Sequence, residues 1–260
     1  MKTKTLGNPS NPTIVFLHGF MGSGDDWMQI AARLSDHFHC LMPDLPGHGE
    51  TSLDEEPAYA AWASALRDEL SAQGIERAHF VGYSMGGRLA LYFAFIYPEM
   101  VDKLVLESAN PGIVNETERK ERAELDDKLA ARLREKGMQD FLAFWYNIPL
   151  FASLNEYPAL KDELIYKRAA QNPESMARVL SELSPGRQPS LWARLSELKM
   201  PILLVAGELD QKYCRITSRI ATILPKSMRV TLPRCGHNAH RENPNLFIDH
   251  LADWLDFPSL

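Results

Sequence analysis

A serine hydroxyl is a weak base or nucleophile until a positioned imidazole takes its proton, and a carboxylate behind the imidazole holds its tautomer. The 260-residue chain carries these three residue types in an order that could serve this chemistry. Ser84 lies in Gly82-Tyr83-Ser84-Met85-Gly86-Gly87, between a short apolar run and an apolar helical stretch. On a tight strand-to-helix turn a serine is forced outward, and only glycines leave room for the crossing backbones. The helix starting there aims N–H groups and its positive dipole end at a developing oxyanion. The same glycines also suit a plain packing turn, so the partners must be sought elsewhere. His237 follows the last apolar run, in Pro233-Arg234-Cys235-Gly236-His237-Asn238, and Asp210 follows the preceding one, in Gly207-Glu208-Leu209-Asp210. Glu208 competes for the acid role and His240 for the base. A zinc site of Cys235, His237 and His240 has no second ligand cluster behind it, so no metal is expected. The turn His18-Gly19-Phe20-Met21-Gly22-Ser23 is placed to give one oxyanion N–H, from Phe20, with Met85 giving the other. Asp44-Leu45-Pro46-Gly47-His48-Gly49 forms a further turn after the second apolar run.

Elements must hold these residues together. Runs at 13–17, 38–43, 78–82, 103–107, 201–206 and 228–232 are nearly continuous in Val, Ile, Leu or Phe. That pattern belongs to strands covered on both faces. Helical patterns at 26–35, 59–73, 85–97, 213–224 and 245–254 alternate with them, which predicts an α/β fold with a parallel sheet and right-handed crossovers. The alternation stops over residues 111–199, where helical stretches at 115–136, 157–171 and 173–183 accompany an apolar aromatic run at 138–146. The expected organisation is a core of 1–110 and 200–260 with an all-helical insertion at 111–199. An insertion at strand C-termini covers the ligand crevice of an open α/β sheet, so a lid is expected.

Composition narrows the function classes. Hydrophobic residues are 45% and charged residues 24%, as in an ordinary globular protein. A net charge of −6 argues against nucleic acid as a partner. No apolar stretch is long enough to span a bilayer, and the start of the chain lacks a signal-peptide h-region. Three widely spaced cysteines do not make a disulfide framework. A cytoplasmic enzyme without a membrane partner is expected.

With these motifs in hand, the chain resembles the α/β-hydrolases over essentially its whole length. Within them it is most similar to the 2-succinyl-6-hydroxy-2,4-cyclohexadiene-1-carboxylate synthases of menaquinone biosynthesis. The narrower likeness lies in Gly82 to Arg88, Ser108-Ala109-Asn110-Pro111-Gly112, Glu118-Arg119-Lys120-Glu121-Arg122, Phe141-Leu142-Ala143-Phe144-Trp145-Tyr146 and Pro149-Leu150-Phe151-Ala152-Ser153. Many α/β-hydrolases open with an antiparallel hairpin, but only a dozen residues precede Thr13, so the sheet is expected to lack an edge strand.

The resemblance implies a lyase that eliminates pyruvate from an anionic polycarboxylate, with Ser84, His237 and Asp210 as a proton-abstracting relay. No cofactor is expected, and the protein is expected to be a monomer. Several cations should then meet the substrate carboxylates, and arginine suits them through its planar fork. Arg88, one helical turn beyond Ser84, is placed to do so, although a surface or salt-bridged arginine has the same spacing. By resemblance Arg122 and Arg168 reach down from the insertion, Lys212 flanks Asp210, and Tyr83 and Trp145 line the pocket. Trp145 could also belong to an apolar stripe with Phe141, Leu142 and Phe144. A carboxylesterase or thioesterase uses the same triad, and a non-catalytic binding protein can share the fold. A haloalkane dehalogenase would need a carboxylate where Ser84 stands.

Overall fold

The computed structural model describes residues 1–53 and 59–256; residues 257–260, part of the expected second core segment, lie outside them. Seven strands, β1 (Thr3–Leu6), β2 (Thr13–Leu17), β3 (His39–Pro43), β4 (Ala78–Tyr83), β5 (Val101–Glu107), β6 (Ile202–Gly207) and β7 (Ser227–Leu232), form one sheet in the order β1-β3-β2-β4-β5-β6-β7. All neighbours are parallel except β1 with β3. The edge strand expected to be missing is present. Its Thr-Lys-Thr-Leu sequence is partly exposed and carries no apolar run, and Gly7 at φ +89° turns the chain out of it.

Helices cover both faces. Ile14 and Phe16 of β2 point to α1 (Met28–Leu34) and the last helix, packing with Trp27, Ile30, Leu34 and Phe247. Val15 and Leu17, pointing the other way, pack with Trp62 and Leu66 of α2 (Tyr59–Ala72) and Leu89 of α3 (Met85–Ile96). This alternation is the period-2 geometry of a strand buried on both faces.

Between β5 and β6 the described chain is helical: α4 (Glu116–Trp145), a 3-10 segment Pro149–Glu156, α5 (Pro158–Arg168), α6 (Pro173–Glu182) and a 3-10 turn Trp192–Glu197. The two stretches expected at 115–136 and 138–146 run together as α4, bent at Gly137, whose φ of 77° and ψ of 179° are not helical. The insertion is not a separate body, because Leu133, Phe141, Leu164, Met176 and Leu180 share one apolar cluster with α2 and α3. Beyond β6 come α7 (Gln211–Ala221), α8 (Ala239–Glu242) and α9 (Pro244–Trp254).

Strand order reverses around β2, with β3 on one side and β4 on the other. A ligand crevice opens at such a switch point, outside the strand C-termini. The turn of Phe20 follows β2 and Ser84 follows β4, so the two candidate motifs meet there.

Candidate active site

Ser84 occupies the turn between β4 and α3 at φ 51°, ψ −109°, a strained conformation for a residue with a side chain. The glycines around it make that turn possible. A Cβ on Gly82 would lie 2.6 Å from the Cα of Gly87, and one on Gly86 would lie 2.2 Å from the carbonyl oxygen of Leu17. The Ser84 N–H donates to the carbonyl of Glu107 at 2.9 Å, which ties the turn to β5.

His237 Nε2 lies 3.1 Å from Ser84 Oγ, and its Nδ1 lies 2.7 Å from Asp210 Oδ2. Asp210 also caps α7, accepting the Tyr213 N–H at 3.1 Å. The His237 ring is enclosed by Tyr213, Tyr83 and Phe151, with centroids at 4.8, 5.4 and 5.9 Å. The two competing residues face elsewhere. Glu208 is exposed and accepts the Arg234 N–H at 2.9 Å. His240 is stacked on Trp27 at 4.2 Å, with Nδ1 2.7 Å from Glu107 Oε2. Cys235, His237 and His240 therefore do not converge on one point.

Two histidines shape the turn after β2. His18 Nε2 accepts the Leu45 N–H at 2.9 Å, and His48 Nε2 accepts the Met21 N–H at 3.0 Å. Their Nδ1 atoms face the carbonyls of Gly19 and Pro46 at 2.8 and 2.9 Å, which makes Nδ1 the protonated nitrogen in both rings. Burial pulls both imidazoles below their ordinary pKa, which favours this neutral pairing. Phe20 is thereby held over the catalytic crevice.

A narrow cavity of about 100 Å³ is lined by Ser84 and His237 together with Phe20, Met85, Arg88, Arg122, Trp145 and Lys212. It adjoins a wider cavity of about 690 Å³ whose walls include Leu125, Leu129, Ile148 and Leu150, with Arg122, Trp145 and Lys212 common to both. Trp145 stacks on Phe141 at 5.5 Å and meets the Phe20 ring edge-on at 5.4 Å, so it is at once part of the apolar stripe and part of the cavity wall.

The cations are not equivalent. Arg88 is buried; its Nη1 donates to the Tyr59 hydroxyl, to the Leu183 carbonyl at 3.0 Å and to Gln188 Oε1 at 3.1 Å. All these acceptors are neutral, and among the described residues no carboxylate pairs with Arg88. Arg122 uses Nε on Asp126 at 2.9 Å, and Asp126 also accepts the Ser184 hydroxyl at 2.6 Å. Lys212 makes no ion pair among the described residues, and burial, with Arg122 nearby, lowers its pKa. Arg168 and Tyr83 depart from expectation, for they line neither cavity. Arg168 is buried in an ion pair with Asp26 at 2.5 Å, so its charge is already matched. Tyr83 stands behind the triad, its ring between those of His237 and His240.

Other residues escaped the sequence reading. Gln171, just past α5, donates to the carbonyl of Gly22 at 2.8 Å and accepts the Gly49 N–H at 3.1 Å, holding both core loops. Asp26 and Glu242 are buried carboxylates whose flanking residues are largely polar, so the sequence around them gives no signal of their burial.

Comparison with known proteins agrees with this geometry. The family model described as the alpha/beta hydrolase fold matches residues 12–244. The 2-succinyl-6-hydroxy-2,4-cyclohexadiene-1-carboxylate synthases of Enterobacter sp. and Citrobacter koseri are each 36% identical over 249 residues, covering 96% of this chain and 93% and 96% of theirs. The structure of MenH from S. aureus superposes with a TM-score of 0.94 at 34% identity, covering 98% of this chain and 97% of that one. Identity at this level over nearly the full length of both partners exceeds what a shared fold alone requires. The chain belongs to the α/β-hydrolase fold family and, within it, to the 2-succinyl-6-hydroxy-2,4-cyclohexadiene-1-carboxylate synthases.

Proposed function

We propose that the protein eliminates pyruvate from 2-succinyl-5-enolpyruvyl-6-hydroxy-3-cyclohexene-1-carboxylate to give 2-succinyl-6-hydroxy-2,4-cyclohexadiene-1-carboxylate, a step of menaquinone biosynthesis. The observation that carries the reading is the buried Arg88, without a carboxylate partner among the described residues, in the same narrow cavity as Ser84 and His237. A neutral ester offers such a cation nothing, whereas a carboxylate offers a charge-assisted hydrogen bond.

In this mechanism Ser84 Oγ takes a ring proton while its own proton passes to His237 Nε2, and Asp210 stabilises the imidazolium. The C–H electron pair at C2 becomes the C2=C3 double bond as the ring's existing C3=C4 pair shifts to C4=C5. The C–O bond to the enolpyruvyl group breaks, and its electrons leave with the pyruvate enolate. Return of the proton from His237 yields pyruvate and resets the relay, with no water consumed. The N–H groups of Phe20 and Met85 stabilise oxygen that gains negative charge. Arg88, Arg122 and Lys212 hold substrate carboxylates, Trp145 walls the cavity, and Tyr83 and Arg168 support the triad and the turn after β2 from behind. The helical insertion of residues 111–199 acts as the lid.

The reaction is placed in the cytoplasm, which suits three free thiols and a chain with no helix among the described residues long and apolar enough to cross a membrane. The test is incubation of the purified protein with the enolpyruvyl precursor, following pyruvate release and diene absorbance. Release of pyruvate with stoichiometric diene is expected; hydrolysis of esters with no pyruvate formed would replace the reading by an esterase.

A further inference from the structure

The loop that carries His237 is gripped from behind by a carboxylate outside the triad. Glu242, buried at the end of α8, accepts the Gly236 N–H on Oε2 at 2.7 Å and the Asn238 N–H on Oε1 at 3.3 Å. One side chain thus holds the main chain on both sides of His237. Its Oε1 also accepts the Ser153 hydroxyl at 3.0 Å, and Ser153 belongs to the segment Pro149–Glu156 of the helical insertion.

Two further contacts make this a joint between insertion and loop. A Cβ on Gly236 would lie 2.0 Å from Ser153 Oγ, so the loop and the segment touch with no room for a side chain. Two residues before Ser153, the Phe151 ring meets the His237 ring edge-on at 5.9 Å. An ionised carboxylate is acceptor-only and can take all three donors at once, whereas an amide must turn its NH2 toward at least one of them.

We propose that Glu242 is a positioning residue that sets the His237 imidazole between Asp210 and Ser84 and, through Ser153, makes that setting depend on how the insertion is seated. The inference rests on the proposed lyase reaction only for the choice of substrate.

Two variants test it. Glu242→Gln keeps the side chain's size and removes one acceptor, while Ser153→Ala releases only the insertion. For each, steady-state pyruvate release, thermal unfolding and the low-field proton NMR resonance of the His237 Nδ1–H are measured against the parent protein. Because sub-ångström misplacement of a reacting group is costly, Glu242→Gln is expected to lower kcat by about ten- to a hundredfold with KM within about twofold. Ser153→Ala should lower kcat in the same direction by less, and the double variant should be no worse than Glu242→Gln alone, as expected of residues in one network. The low-field resonance should shift or broaden in both while unfolding stays cooperative. An unchanged kcat and resonance in Glu242→Gln overturns the proposal, as does a loss of activity that follows thermal stability with the resonance unmoved. Should Glu242→Gln not fold, Ser153→Ala decides by the same readouts. If the parent protein releases no pyruvate, the lyase reading falls and the resonance comparison still judges Glu242.

Discussion

Arg88 and Arg168 are both buried arginines near the same crevice, and their partners set them apart. Arg168 faces a carboxylate, and Arg88 faces a carbonyl, an amide and a phenol. Replacing Arg88 by Met is expected to remove a charge-assisted hydrogen bond of about 1.5–3 kcal/mol, lowering kcat/KM for the polycarboxylate roughly 10- to 150-fold. Slow hydrolysis of a small neutral ester should hardly change, and equal losses on both substrates would mean that Arg88 only supports the fold. At Ser84, Asp210 and His237, the variants Ser84→Ala, Asp210→Asn and His237→Ala should each abolish most pyruvate release without unfolding the protein. Residues that act as a unit are not additive, so the triple variant should cost little beyond the worst single one. Near-parental turnover by His237→Ala would sink the relay.

At the scale of elements, the Asp26–Arg168 pair joins the start of the core to the end of α5, with Arg241 adding a second contact to Asp26 at 3.3 Å. Burial alone would raise the Asp26 pKa, but the charge and hydrogen bond of Arg168 more than reverse this and hold it down to about 2. A carboxyl depressed below its ordinary 3.8 stabilises the fold fully above that value and loses the contribution as the pH falls toward 2. Asp26→Asn leaves a buried guanidinium unmatched and should cost about 3–5 kcal/mol at neutral pH. Measured by denaturant unfolding, that gap should narrow by about 2 kcal/mol between about pH 4 and pH 2; a gap independent of pH would mean that charge is not its cause. The bend in α4 gives a second test. Glycine to alanine within a helix ordinarily stabilises, but Gly137 has φ 77° and ψ 179° with open space around it, so Gly137→Ala should instead destabilise by about 1–3 kcal/mol through backbone strain alone.

Across the whole molecule, the parts readable in the sequence are those with a local signature. β2 to β6 are apolar runs because both sheet faces are covered, whereas β7, at the sheet edge, is largely exposed, and the glycines around Ser84 announce the turn through the space they must leave. β1 was not legible, since four partly exposed residues form a strand only because β3 offers them a pairing edge. The roles of Gln171 and Asp26, and the tie of Glu242 to Ser153, depend on partners far along the chain, and no local pattern encodes them. Nor does the net charge of −6 disclose the cluster of Arg88, Arg122 and Lys212. A positive crevice on an acidic protein should make kcat/KM for the charged substrate fall as salt is added, while a neutral ester is spared. Parallel curves for the two substrates would place the cations outside the recognition step.

The acceptors around Arg88 come from two parts of the chain: Tyr59 lies in the core, whereas Leu183 and Gln188 lie in the stretch between β5 and β6. A chimaera that grafts a relative's 111–199 segment onto this core would replace two of the guanidinium's three acceptors and, where they are not reproduced, leave a buried charge without its hydrogen bonds. Exchange of that segment should therefore succeed only when Arg88 and its two distant acceptors travel as a set, so in descent as in engineering the two parts are one inherited unit.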